Sequence, residues 1–394
     1  MKPDRPSQPL PPGFGLLSSS PFAPPLVVPL SLIEALANTA DADPPDAPPA
    51  PPAPVPPSRP ADWVGEMRER AGAVRRPRGA QRVFTLAALQ HSLERAQRHT
   101  HREQRERDKQ LLADIASRGP WRTARFGPRV LEALHALEAD MPHLAGVTRE
   151  IANRIHLGRV ARAGVRLPPL LLVGEPGVGK SHYAEAMARA LGAPIHRLAF
   201  DSVQVGAALA GSDAYWSNSR PGLVFGALGL GPTLHPVILL DELDKARRDG
   251  HGDPLAPLHT LLEPHTARHF VDRCIDLEMD ASRIVWIATA NDLAAIDAPL
   301  RSRFAVHVVR PPEATESLRI ARAVAAGLLA EMGLRLEIAP AVFERLAGLG
   351  PRAQRQALET AIAEAVRDGE TVLEAARLPA AASVSRGMGF LARL

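Results

Sequence analysis

The stretch "LLLVGEPGVGKSHYAEAMARALG", which begins at Leu170, constrains the fold of this chain more than any other. Its four apolar residues predict a buried strand, a glycine-rich turn follows, and the last part has the pattern of a helix. The turn, Gly174–Ser181, fits G-x-x-x-x-G-K-S in full. A strand that leads through such a turn into a helix indicates a mostly parallel sheet covered by helices on both faces. An α/β domain is therefore predicted.

The residue types of this turn suit the binding of phosphate groups. Glycines allow backbone conformations that point successive N–H groups at an anion, and the helix start adds its positive dipole end. Lys180 is expected to reach the β- and γ-phosphates, and the Ser181 hydroxyl to ligate Mg²⁺. The predicted nucleotide-binding residues are Gly174, Glu175, Pro176, Gly177, Val178, Gly179, Lys180 and Ser181.

A second motif, "HPVILLDELDK", lies about 60 residues downstream of the turn and begins at His235. Its apolar residues predict a strand that brings Asp241 and Glu242 to its carboxyl end, where ligands bind in such sheets. Asp241 is predicted to hold Mg²⁺ through its water shell, and Glu242 to polarise the attacking water. The alternative is that both acids only cap the following helix.

The remaining pattern predicts a five-stranded sheet in residues 127–312 and a helical lid in residues 313–378, followed by a tail in residues 379–394. The apolar stripes of the lid contain Leu346, Ala357, Leu358, Ile362 and Val366. The predicted strands are Pro169–Gly174, Pro194–Phe200, Val237–Asp241, Ile284–Ala290 and Ala305–Arg310.

The segment before residue 127 has two parts of different composition. About half of the 39 prolines fall in residues 1–60, which predicts a disordered, semi-rigid tether. Its apolar run Leu30–Ala37 is either plain linker or a short helix that docks on a partner. Residues 61–126 form a basic helical region with Leu86, Leu89 and Leu93 at helical spacing. This region is either a solvated face or, through clusters such as "RRPR", a contact for nucleic acid or an acidic partner.

Composition narrows the protein class. The single Cys274 excludes an intrachain disulfide framework and fits a reducing compartment. No apolar run approaches the roughly 18 residues of a membrane span, and no signal-peptide core is present. The expected location is the cytoplasm. A formal net charge of only +4 does not favour a strong nucleic-acid binder.

The motifs together carry a family resemblance. Five motifs occur in the order and spacing of an AAA+ ATPase module, and their sequences are most similar to the ATPase part of Lon proteases. These motifs are "GEPGVGKS", "ILLDELDK", "GDP", "WIATAND" and "APLRSRF". The resemblance covers Pro169 to about Arg377. It implies an ATPase that uses Mg²⁺, with a five-stranded sheet and helical lid, working as a ring that is typically a hexamer.

The resemblance also implies roles for single residues. Asn291 occupies the sensor position that orients the attacking water, unless it is only a turn residue at the strand end. Arg303 occupies the position of the arginine finger, which reaches the ATP of a neighbouring subunit, and Arg301 is the nearby alternative. Arg352 resembles the second sensor arginine of the lid, the alternative being a solvated helix residue.

The polar loop between Gly211 and Gly222 contains an unexpected aromatic pair, Tyr215 and Trp216. The resemblance to AAA+ ATPases implies that this loop is the first pore loop, where Trp216 would grip a threaded polypeptide. The alternatives are packing onto the protein itself and stacking on unpaired bases.

The chain departs from Lon proteases outside the ATPase part. Only a short tail follows Arg377, so no intrinsic peptidase activity is expected, and no Lon-like substrate domain is recognisable before the module. The leading interpretation is a polypeptide-remodelling ATPase ring. A nucleic-acid motor or loader that uses the basic region, and a nucleotide-switched scaffold, are the alternatives.

Overall fold

The computed structural model describes residues 12, 14–17, 26–31, 62–99, 101–124, 126–161, 165–200, 205–213, 218–246 and 253–379. The chain divides into two compact units, Met1–Pro60 and Ala61–Leu394. The strands are β1 Phe14–Leu17, β2 Leu26–Pro29, β3 Ala80–Arg82, β4 Trp121–Thr123, β5 Leu170–Val173, β6 Ile195–Ala199, β7 Val237–Asp241, β8 Phe270–Val271, β9 Glu278–Met279, β10 Val285–Ala290, β11 Ala305–Val308, β12 Glu337–Ile338 and β13 Val372–Leu373.

Helices connect most of these strands, and none within the described residues is both long and apolar enough to span a membrane. The helices are α1 Trp63–Ala73, α2 Leu86–Gln97, α3 Arg102–Arg118, α4 Val130–Asp140, α5 Ala145–Val160, α6 Lys180–Leu191, α7 Val205–Ala210, α8 Leu223–Phe225, α9 Ala256–Leu261, α10 Pro264–Ala267, α11 Ala298–Arg301, α12 Ala314–Met332, α13 Pro340–Leu346 and α14 Pro351–Arg367. Helix α8 continues as the π-helical turn Gly226–Leu230, and 3-10 turns lie at Pro142–Leu144, Leu243–Lys245 and Ala375–Arg377.

The first unit contains a two-stranded antiparallel hairpin of β1 and β2, with Phe14 opposite Pro29. The hairpin lies inside the segment predicted as a tether. Most of that segment, including residues 32–37 of the proposed docking helix, lies outside the described residues.

The second unit is built on a five-stranded sheet in the order β11-β5-β10-β7-β6, with every pair parallel. Strands β5, β7 and β10 are buried along their whole length, because helices cover both faces of the sheet. The predicted fold class and all five predicted strands are confirmed, with bounds that differ by at most two residues at either end. The carboxyl ends of β5, β10 and β7 are neighbours at one edge of the sheet.

The lid packs as three helices around its own apolar core. Helix α12 begins with a capping box in which Glu313 and Glu316 bond each other's backbone N–H groups, and it ends at Gly333 in the left-handed region. Leu346 and Leu358 are buried as the apolar stripe predicts, whereas Val366 is 47% exposed. Val366 therefore lies on the outer side of α14, one position away from the buried Ala365.

The basic helical region packs directly on the α/β sheet unit. The stretch 92–116, whose sequence predicts one helix, is divided between two helices, α2 and α3, which are separated by residues 98–101. One face of α3 carries Leu112, Ile115 and Ala116, which are fully buried in the same apolar core as the sheet residue Trp286. The polar segment is thus only partly a solvated face.

Gly222 and Gly226, near the end of the aromatic loop, give a matched test of how closely the backbone packs at that loop end. A Cβ on Gly222 would lie 2.3 Å from the carbonyl oxygen of Leu209 and 2.4 Å from the backbone nitrogen of Gly211. Because both are backbone atoms, we expect Gly222→Ala to lower the free energy of unfolding by about 1–3 kcal/mol. Urea denaturation measures this change.

The control is Gly226→Ala, a helical position with nothing within 4 Å of the added carbon. We expect it to raise the free energy of unfolding by about 0.5–1 kcal/mol. Equal urea midpoints for the Gly222 variant and the unchanged protein would show that the loop end is not held in this close packing.

Candidate nucleotide-binding site

The glycine-rich turn joins β5 to α6. Gly177 and Gly179 have φ of 81° and 102°, in the left-handed region that disfavours other residues. Gly174 has no room for a side chain, since a Cβ would lie 2.4 Å from the carbonyl oxygen of Val309. Helix α6 begins at Lys180, and its first N–H groups, which lack intrahelical partners, open toward this turn.

Lys180 is held at the base of the turn by three acceptors. Its Nζ donates to the carbonyl oxygens of Gly174 and Glu175, at 2.7 and 2.9 Å, and to Oδ1 of Asn291 at 2.9 Å. Burial lowers the pKa of Lys180, and the nearby carboxylate of Asp244 is the main opposing influence. The structure therefore brings together Lys180 and Asn291, which lie in separate sequence motifs.

The predicted metal ligands are in direct contact. Ser181 Oγ donates to Oδ1 of Asp241 at 2.8 Å, and the Thr289 hydroxyl donates to the same oxygen at 2.6 Å. Arg197 pairs with the other oxygen, Oδ2. Burial alone would raise the pKa of Asp241, but the hydrogen bonds from Thr289 and Ser181 and the charge of Arg197 lower it overall. The hydrogen bonds and the nearby arginine therefore favour the ionised form of Asp241.

Glu242 sits directly after β7 with an exposed side chain and an unusual backbone. Its φ of 56° and ψ of 50° place a non-glycine residue in the left-handed region. Such a conformation costs on the order of 1–3 kcal/mol and occurs preferentially at functional sites. The N–H of Glu242 donates to the Thr289 hydroxyl at 2.9 Å, which fixes the turn that presents the carboxylate.

These groups line one cleft of about 590 Å³ between the α/β unit and the lid. The end of α4 forms one wall, the glycine-rich turn and strand ends form the floor, and α12 and α14 form the other wall. The cleft is lined by Leu137, Asp140, Met141, Pro176, Gly177, Gly179, Lys180, Ser181, His182, Ala186, Arg189, Arg197, Asp241, Glu242, Thr289, Ala290, Asn291, Ile320, Ala323, Val324, Gly327, Glu331, Pro351, Arg352 and Arg355.

The structure separates the arginines that the resemblance singled out. Arg352 lines the cleft from the first turn of α14. The described lining residues include neither Arg301 nor Arg303. Arg303 instead donates from Nη1 to the carbonyl oxygen of Pro299 at 2.5 Å, and its Nε lies 3.2 Å from Oε1 of Glu263.

The aromatic pair Tyr215 and Trp216 lies outside the described residues, whereas both ends of its loop are described. Ser212 N donates to the carbonyl oxygen of Arg220 at 3.0 Å, and Arg220 N donates to Ser212 Oγ at 2.7 Å. The buried Asp272 accepts from Gly222 N at 2.8 Å. The loop therefore starts and ends on a closed, hydrogen-bonded base.

Two site residues escaped the sequence analysis, Arg197 and Thr289. Both are polar residues inside strands that were read only as apolar, "PIHRLAF" and "IVWIATA". A charged or hydroxyl side chain within two residues of the end of a parallel strand was the available signal, because that end faces the ligand edge of the sheet.

Comparison with known proteins agrees with this geometry. Residues 170–312 match the family described as "ATPase family associated with various cellular activities (AAA)". The chain is 34% identical over 193 residues to the Lon protease of Chloroflexus aggregans, which covers 49% of this chain and 23% of that protein. It is also 34% identical over 202 residues to the Lon protease of Halothermothrix orenii, covering 51% of this chain and 25% of that protein. The chain thus spans about a quarter of the length of these relatives.

A solved structure, the RuvB Holliday junction branch migration motor of Thermotoga maritima, is similar at 19% identity with a TM-score of 0.39. The similarity covers 59% of this chain and 66% of that one.

A parallel sheet with a glycine-rich turn, a buried lysine and paired acids at its carboxyl edge defines a P-loop nucleotide-binding protein. Residues 170–312 match the AAA ATPase family, and the sequence of this part of the chain is similar to the Lon proteases.

Proposed function

We propose that this protein binds ATP with Mg²⁺, hydrolyses it, and uses the energy as a ring-shaped motor that remodels polypeptides. The observation that carries the ATPase part is that a single cleft contains Lys180, Ser181, Asp241, Glu242 and Asn291. Three separate sequence segments contribute these residues, and each supplies a group that phosphoryl transfer requires.

The shape of the cleft suits a nucleotide. Apolar side chains of α4 and α12, among them Leu137, Ile320 and Val324, offer a surface for a flat base. At the other end, Lys180 and the N–H groups of the glycine-rich turn offer positive charge for phosphates. Arg352 joins from the lid, so a bound nucleotide would contact both parts of the module.

Magnesium fits the donors that the site provides. Mg²⁺ prefers oxygen ligands and is usually held by one or two protein oxygens together with substrate phosphates and water. The hydroxyl of Ser181 and the ionised carboxylate of Asp241 supply such oxygens, and their 2.8 Å hydrogen bond brings them to one point. When bound, the ion would neutralise charge on the phosphate oxygens.

Glu242 is the proposed base for the attacking water. Its carboxylate is exposed at the cleft, while its backbone is fixed through Thr289. Asn291, whose Oδ1 accepts from Lys180, retains its amide N–H groups for the same water. Lys180 and Arg352 would then stabilise the charge that develops on the γ-phosphate.

A ring follows from the proposed role of Arg303. Because Arg303 lies outside the cleft of its own chain, it can complete only the cleft of another copy. Subunits that each complete a neighbour's site form head-to-tail contacts, which close into rings. We take six copies as the proposed number, on the resemblance to AAA+ ATPases.

The single Cys274 supports a cytoplasmic location, and the proline-rich N-terminal segment is proposed to bind a partner.

Polypeptide threading rests on Trp216 and its neighbour Tyr215. Their place in the sequence between two described loop ends, and the similarity of the module to Lon proteases, support a role as the substrate grip. An aromatic ring suits this task because it contacts any extended chain through apolar area.

We expect Trp216→Ala to change basal ATP turnover by less than a few-fold, because none of the described residues of this loop lines the nucleotide cleft. Stimulation of ATP turnover by an unfolded polypeptide should be largely lost, and Tyr215→Ala should have a weaker effect of the same kind. Trp216→Phe is the control, since it keeps a ring at the same position and should retain most of the stimulation. A coupled ATPase assay with casein as the unfolded polypeptide measures all four proteins.

Thermal melting of the same variants distinguishes a substrate-binding role of Trp216 from a packing role in the hydrophobic core. Removing a packed tryptophan costs about 3–5 kcal/mol. If Trp216→Ala melts early and loses basal ATP turnover together with stimulation, Trp216 is a core residue and the threading proposal fails.

A further inference from the structure

The region before the module carries a group of exposed arginines that have no acidic partner among the described residues. Here they are called the arginine patch, defined as Arg75, Arg76, Arg78, Arg82 and Arg118. In the described part of the chain, no carboxylate lies within 4.0 Å of a guanidinium nitrogen of these five residues. Paired arginines are common elsewhere in the second unit, for example Arg149 with Glu138 at 2.7 Å and Arg355 with Glu331 at 2.8 Å.

The patch is continuous across two elements. The guanidinium carbons of Arg76 and Arg82 each lie 5.2 Å from the ring centroid of Trp121, so one indole holds both side chains. Arg118, at the end of α3, is joined to the same surface because the following Gly119 packs on Val74. A guanidinium held against an aromatic ring keeps its N–H edge available for an anion.

A buried arginine fixes this surface to the ATPase module. Arg122 donates to the carbonyl oxygens of Gly119 at 2.8 Å and Leu228 at 2.9 Å, and also to that of Gly229. Burial, and after it the charge of Arg118, lowers the pKa of Arg122 to about 10. The lowering by Arg118 reflects the excess of positive charge in this neighbourhood. The patch is thus positively charged and rigidly mounted.

The surroundings of the patch favour a nucleic acid over an acidic protein. Protein interfaces are anchored by apolar and aromatic side chains that become buried. Among the described residues, none of the strongly exposed large apolar side chains lies in residues 74–82 or 118–124, and Trp121 is already engaged by two guanidinium groups. A phosphodiester backbone needs no apolar anchor, because its affinity comes from neutralising regularly spaced charges.

We propose that the arginine patch binds the phosphodiester backbone of a nucleic acid without regard to base sequence. This binding does not depend on the proposed ATP hydrolysis, since none of the five arginines lines the nucleotide cleft.

The test uses the full chain and a fluorescein-labelled single-stranded oligonucleotide of mixed sequence, with anisotropy measured from about 50 to about 200 mM NaCl. Arg76→Gln with Arg82→Gln should weaken binding roughly tenfold at the low end and reduce the log–log salt slope by about 1.4, or about 0.7 for each lost contact. The matched control is Arg149→Gln with Arg154→Gln, which removes the same charge from arginines paired with Glu138 and Glu150.

Arg75→Gln with Arg78→Gln provides a second variant that leaves the stacked pair on Trp121 intact, and it should weaken binding in the same way. Basal ATP turnover should be unchanged in all three, which separates this proposal from the proposed ATPase function. Equal weakening by the control would overturn the proposal, because total charge would then explain the binding. So would competition by polyglutamate at the same affinity, which would assign the patch to acidic polypeptides.

Discussion

We expect ATP turnover to fall by roughly 10²–10⁴ when Glu242 is replaced by glutamine, which is the contribution of a positioned general base. The amide keeps the size of the side chain but cannot accept a proton from the attacking water. ATP binding should persist, since Glu242 is not a phosphate ligand and Lys180, Ser181 and Asp241 are untouched. Single-turnover hydrolysis and equilibrium binding of a fluorescent ATP analogue measure the two properties separately.

The control for this variant is Glu331→Gln, which removes a carboxylate from the lid wall of the same cleft. Glu331 pairs with Arg355 and takes no part in the proposed chemistry, so turnover should stay within a few-fold of the unchanged protein. If Glu242→Gln hydrolyses ATP at the unchanged rate, the base is another group.

The central elements of this fold are visible in the sequence because their signals are local. The glycine-rich turn needs three glycines within six residues, and two of them adopt left-handed φ while the third is crowded by Val309. The buried strands read as continuous apolar runs because both faces of the sheet are covered. Strand ends at one sheet edge then bring Lys180, Asp241 and Asn291 together, as their motifs predict.

The partners of these residues were not predictable, because they depend on which strands are neighbours. Arg197 meets Asp241 only because β6 pairs with β7 in register, with Ala199 opposite Asp241. Thr289 reaches the same carboxylate because β10 lies on the other side of β7. A single sequence records the residue types in each strand but not the strand order.

The sequence pattern does not predict the burial of the basic helical region, for a related reason. Charged residues dominate α3, yet its buried face also carries Gln104 and Asp108, each about 3% exposed. Gln104 donates to Ser219 Oγ at 3.3 Å, next to the end of the aromatic loop. Sequence periodicity detects apolar faces, whereas a face that is buried through specific polar pairs has no such pattern.

Replacing Arg303 by alanine should lower the kcat for ATP hydrolysis by about 10³–10⁵, the range measured for arginines supplied to a phosphoryl-transfer site from a neighbouring protein. In the single chain, Arg303 is held by the carbonyl oxygen of Pro299 and by Glu263, outside its own cleft. As the proposed arginine finger it would act on another copy, and the loss should be repairable by a copy that has the arginine. Lys180→Ala is the complementary variant, because it should not bind ATP but retains Arg303.

Mixing the two inactive variants before assembly distinguishes action between subunits from action within one. In a ring of randomly mixed subunits, about one interface in four joins an intact cleft to an intact Arg303, because each position holds the required variant half of the time. ATP turnover should therefore recover to at most about a quarter of the unchanged rate, whereas a residue acting within its own subunit would give no recovery. Arg301→Ala is the control and should retain most activity. If Arg301→Ala is the variant that is inactive and is rescued by Lys180→Ala, then Arg301 is the finger.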